Sequence, residues 1–126
     1  MSSDATTGLI RALVENLENA PEDWESFAMI VSFFEGEFSG AAGYAYSPDG
    51  SIAAVTVDPW AVKSAVADYT DSHYTAGAPL PVKFLVQFDR SLGRFEVTFE
   101  DMDDTRWQVT PRTFKTLREE LRPRFD

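Results

Sequence analysis

Cysteine is absent from this 126-residue chain and histidine occurs once, which removes several chemistries at the outset. Without thiols there is no disulfide, no thiolate zinc site and no cysteine nucleophile. The one histidine, His73, sits in Asp71-Ser72-His73-Tyr74 at an expected helix end, where a cap or a solvated bystander is the ordinary role. A serine nucleophile needs a base beside it, and no G-x-S-x-G elbow is present. Gly36-Glu37-Phe38-Ser39-Gly40 has the outer glycines but a displaced serine in an acidic loop. Phosphate-cradling glycine loops are missing as well. Basic residues are scarce, 11 against 21 acidic ones, and the net charge of −10 has the wrong sign for a nucleic-acid backbone. No apolar run reaches the length that spans a bilayer. The opening MSSDATTGLIRALV lacks the basic and apolar regions of a signal peptide. These absences predict a cytoplasmic protein that is not an enzyme, with no cofactor and no nucleic-acid or membrane partner.

What is present fills one domain, residues 1–126, with 44% hydrophobic residues to build its core. Leu9, Ile10, Leu13, Val14 and Leu17 have helical spacing, predicting an amphipathic helix over about 5–19. Residues 24–34, WESFAMIVSFF, read as a long covered strand, and 35–40 as a loop. Strands over 41–47 and 52–57 flank Ser47-Pro48-Asp49-Gly50, which fits a type I turn. Asp58-Pro59 is an N-cap and first-turn pair for a helix running to about Tyr74, before Gly77, Pro79 and Pro81 interrupt. Val82, Phe84, Val86 and Phe88 alternate with Lys83, Leu85, Gln87 and Asp89, and Phe95, Val97 and Phe99 with Glu96, Thr98 and Glu100 beyond Asp89–Gly93, predicting a hairpin. Thr110-Pro111 repeats the N-cap signature for a last helix that turns Phe114, Leu117 and Leu121 inward beside Lys115, Arg118 and Arg122. The order is α-β-β-β-α-β-β-α: an α+β fold, an antiparallel sheet of about five to six strands with helices packed on it.

Charge is uneven along the chain. Residues 1–104 hold 18 acidic and 5 basic side chains, and residues 105–126 hold 3 and 6. The basic tail can neutralise acidic strands, or the acidic body can face a cationic partner. The hairpin's outer face carries Glu96 and Glu100, continued by Asp101, Asp103 and Asp104 and followed by Arg106 and Trp107. Calcium loops need ligands at regular offsets and a glycine at the bend, which EDMDDT lacks, so no metal is expected there. Glu96, Glu100, Asp101, Asp103, Asp104 and Trp107 are instead the candidate partner-binding residues, with Trp107 the anchor. The alternative is a core Trp107 beside acids that only solubilise.

Two short segments carry a resemblance. Ala20-Pro21-Glu22-Asp23-Trp24-Glu25, after the first helix, is similar to the opening of the YezG-like immunity proteins, where a Pro-Glu-x-Trp segment leads into the first strand. Phe88-Asp89 and Gly93-Arg94-Phe95-Glu96-Val97-Thr98-Phe99-Glu100-Asp101 resemble that family's hairpin with its acidic tail. The resemblance implies a small acidic antitoxin that binds and neutralises a cognate bacterial toxin, a basic nuclease domain being one such partner, with no catalytic residues of its own. Arg106-Trp107 and the basic last helix depart from that family pattern. The element order also suits the acidic, dimeric secretion chaperones, which hold an effector segment in apolar grooves. The chaperone reading predicts exposed apolar patches and an obligate homodimer; the immunity reading predicts a charge-dominated patch and tolerates a monomer, with a homodimer possible.

Overall fold

The computed structural model describes residues 2–34, 37–73, 82–100, 103, 107–108 and 110–123. Its elements are helix α1 (Ser2–Glu15), strands β1 (Leu17–Glu18), β2 (Ser26–Phe34), β3 (Glu37–Tyr46) and β4 (Ile52–Val57), helix α2 (Pro59–His73), strands β5 (Lys83–Asp89) and β6 (Arg94–Glu100), and helix α3 (Phe114–Glu120). The strands form one antiparallel sheet in the order β1-β4-β3-β2-β5-β6. The chain is thus the expected α+β fold, with the two-residue β1 added.

Alternation decides which side each residue faces. Phe27, Met29 and Val31 of β2 join Val55 and Val57 of β4 and Phe84 and Val86 of β5 on the inner face. Leu9 and Leu13 of α1 and Val62, Val66 and Tyr69 of α2 close over them, and the two helices lie against each other. Aromatic rings knit this layer together: Tyr69 stacks on Phe99 at 6.1 Å, and Phe84 meets both. The outer face is smaller. Ala28, Ile30, Tyr44, Tyr46 and Leu85 are covered by Leu117 and Leu121 of the α3 segment, with Trp107 at the margin. The centre of β2 is therefore buried on both sides.

Local chemistry sets the ends of the elements. Asp58 Oδ1 accepts the Trp60 amide at 3.1 Å, which makes Asp58 the expected cap of α2. The Gly50 amide donates to Ser47 O at 2.9 Å, closing the expected turn. Asp89 Oδ1 accepts from the amides of Ser91 and Leu92 and from the Ser91 hydroxyl, while Gly93 takes φ 67°, so the β5–β6 loop is tied from within.

Three expected boundaries shift. The first helix stops at Glu15 rather than near residue 19, because Asn16 turns its side-chain amide back onto Ala12 O at 2.9 Å and the chain enters β1. The predicted 35–40 loop is shorter, since β3 begins at Glu37; Phe33–Phe38 ring contact holds that end. The last helix starts at Phe114, with Thr113 at the N-cap position but making no side-chain cap bond, and not at Pro111. Thr110 Oγ1 accepts from the Arg112 and Thr113 amides and shapes a preceding turn instead. Tyr74, Gly77, Pro79 and Pro81 lie outside the described residues.

Candidate functional site

The pairing of β5 with β6 sets the geometry of the acidic face. Lys83 stands opposite Glu100, Leu85 opposite Thr98, Gln87 opposite Glu96 and Asp89 opposite Arg94, all on the outer side of the sheet. The α3 segment covers the neighbouring strands, where Gln87 donates through Nε2 to Leu121 O at 2.9 Å. On the next strand, Glu96 is exposed. Glu100 is half-buried, and its Oε2 accepts the Asp103 amide at 3.1 Å. One carboxylate is thereby positioned by the backbone, with the exposed Asp103 beside it.

Among the six expected contact residues, the fold places Glu96 and Glu100 on one face of one strand and Asp103 directly after it. Asp101 and Asp104 lie outside the described residues, as does Arg106. Trp107 packs against the outer-face cluster, with a left-handed backbone at φ 61°, and its remaining surface is half-exposed. Of the basic stripe, Arg122 bonds Glu119 through Nε at 3.1 Å and lies over the Tyr46 ring at 4.8 Å, so its charge serves the packing of α3.

Beside Trp107 the outer face opens into a shallow groove of about 690 Å³. Ser32, Gly40, Ala42 and Ala54 share that face of the sheet, and Lys83, opposite Glu100, lines the groove with Trp107. Sequence reasoning did not find it. The available signal was the run Gly40-Ala41-Ala42-Gly43, too small in volume for a strand that is meant to be covered. A second groove, about 450 Å³, separates α1 from the hairpin on the inner side and is lined by Ile10, Val14, Phe88 and Phe95.

Among the described residues no three His, Asp or Glu groups gather as a metal-holding cluster. Two groups that depart clearly from their ordinary pKa are Asp49 and Tyr46. Asp49 is held low by the Ser51 hydroxyl and amide, within an exposed turn. Tyr46 is pushed up by burial. Both are structural. No described helix is long and apolar enough to cross a membrane. No family model matches the chain, and no curated protein matches it.

Proposed function

We propose that this chain is a non-catalytic immunity protein: it binds a cognate bacterial toxin domain of basic character and neutralises it by occupying the toxin's functional surface. The observation that carries the reading is the outer face of β6, where exposed Glu96 and half-buried Glu100 lie on one side of the strand and Glu100 accepts the amide of the exposed Asp103. A run of carboxylates, one of them held by the backbone, with the half-exposed Trp107 on the outer-face cluster of the same sheet, suits a recognition surface rather than a reaction centre. The net charge of −10 steers a basic partner towards it, and nucleases, which must bind phosphate, are basic at their active sites. The cytoplasm, where a self-directed toxin would be met, belongs to the same proposal.

Association kinetics test it. Against a basic toxin domain encoded beside this chain, Glu96→Lys with Asp103→Lys should slow association about tenfold at low salt and much less near physiological salt. Rates that ignore both the substitutions and the salt would remove the electrostatic basis of the proposal.

The groove between α1 and the hairpin favours a second reading, a chaperone that holds an extended effector segment, because Phe95 borders it and is 48% exposed. That reading predicts binding of unfolded peptide with little salt dependence.

A further inference from the structure

Cover on the inner face of β6 is uneven. Tyr69 of α2 stacks on Phe99 at one end of the strand, whereas Phe95 at the other end is 48% exposed. Phe88 and Phe95 stand opposite each other across the β5–β6 ladder. Facing them, Ile10 and Val14 lie one turn apart on α1, and these four side chains floor the groove of about 450 Å³. Its rims are basic. Arg11, on the exposed side of α1 with Glu15 one turn further on, lines the helix side, and Arg90 of the β5–β6 turn lines the hairpin side. The chain as a whole has 11 basic and 21 acidic residues, so two arginines and one glutamate around an apolar hollow reverse the general balance.

Arg90 is fixed before any ligand arrives. Its guanidinium lies 4.0 Å from the Trp24 ring centroid, and Nη2 donates to Glu22 O at 3.0 Å. That bond uses one of the five N–H groups of the side chain. A guanidinium already held in place loses little freedom when it takes up an anion.

We propose that this groove binds an amphipathic organic monocarboxylate of the size of a medium-chain fatty acid. The tail lies along Ile10, Val14, Phe88 and Phe95, and the carboxylate meets Arg11 and Arg90. A volume of about 450 Å³ falls within the range of small-molecule sites. Guanidinium groups pair bidentately with a planar carboxylate, which fixes the head group. Glu15 offsets one of the two arginines, and the remaining single positive charge suits a monoanion better than a dianion. The net charge of −10 does not oppose this, because acids more than about 8 Å away are screened at physiological salt. The site is independent of the immunity reading, which rests on the outer face of the sheet.

Isothermal titration calorimetry of the full chain with decanoate tests the site, with decanol and decylammonium as probes of equal length. One decanoate should bind per chain, about tenfold more tightly than decanol, with decylammonium weaker still. From hexanoate to decanoate, each added methylene should tighten binding about threefold. Arg11→Gln should weaken decanoate about tenfold and leave decanol unchanged, a split that a loosened fold would not give. Phe95→Ser should weaken both probes. Both side chains are exposed, so the two variants should keep the wild-type thermal midpoint. Decanol bound as tightly as decanoate, or an Arg11→Gln variant that binds decanoate normally, would overturn the proposal. So would an uncharged apolar peptide that displaces decanoate at lower concentration, or self-association that Phe95→Ser abolishes, since the groove would then belong to a peptide segment or to a second copy of the chain.

Discussion

Gly43 and Tyr46 sit three residues apart on β3, and the packing constrains each in a different way. A Cβ at Gly43 would run into the Ala28 carbonyl, so β2 and β3 close only if position 43 has no side chain. Gly43→Ala should cost about 2–3 kcal/mol, the scale of an overpacked site, measured by urea unfolding. Tyr46 is almost wholly buried and donates its hydroxyl to Arg118 O at 2.6 Å, fastening α3 to the sheet. Burial raises its pKa above the ordinary 10.0, with the Arg122 guanidinium acting the other way. The folded state thus keeps a proton that the unfolded chain releases above about pH 10. Stability from this group is complete below that pH and falls as pH rises towards the higher folded value. Tyr46→Phe should cost about 1 kcal/mol at neutral pH and flatten the alkaline decline. An equally steep decline in the variant would place its cause elsewhere. Trp107 marks where residue-level reading stopped. Nothing in Asp104-Thr105-Arg106-Trp107 signals a left-handed backbone, which glycine or asparagine would have announced.

Elements were more legible than their ends. Strong alternation located β5 and β6 to within a residue, and Ser47-Pro48-Asp49-Gly50 and Asp58-Pro59 placed β4 and α2 because each motif fixes its own hydrogen bonds. Thr110-Pro111 misled for the same reason. Threonine caps a turn as readily as a helix, and here Thr113 Oγ1 donates to Gln108 O at 2.8 Å, holding the chain in a turn before α3 can begin. The hairpin loop holds a contact between elements that no local pattern revealed. Arg90 stacks over the Trp24 ring at 4.0 Å, donates through Nη2 to Glu22 O at 3.0 Å, and so ties the β5–β6 turn to the segment before β2. Because the planar guanidinium serves both contacts, Arg90→Lys should destabilise by about 1 kcal/mol, nearly as much as Arg90→Ala. Chemical denaturation of both variants distinguishes this from a charge effect, which lysine would preserve.

At the scale of the molecule, the acidic balance was visible in composition, but its distribution over the surface was not. The sequence placed Glu96, Glu100 and Asp103 close together, whereas the packing of α3 on the strands at the sheet centre depends on where that helix starts. The groove beside Trp107 was equally hidden, being made by small residues of β2, β3 and β4 that meet only in the sheet. An acidic strand at the end of the sheet order is the feature on which the proposal of a protein that acts by being bound rests. The most direct measurement is co-expression of this chain with the product of the adjacent reading frame, followed by affinity capture. The immunity account predicts that growth is restored and that a basic, folded toxin domain is captured, with both effects reduced by Glu96→Lys and Asp103→Lys together. A toxic neighbour that is neither captured nor relieved would contradict it.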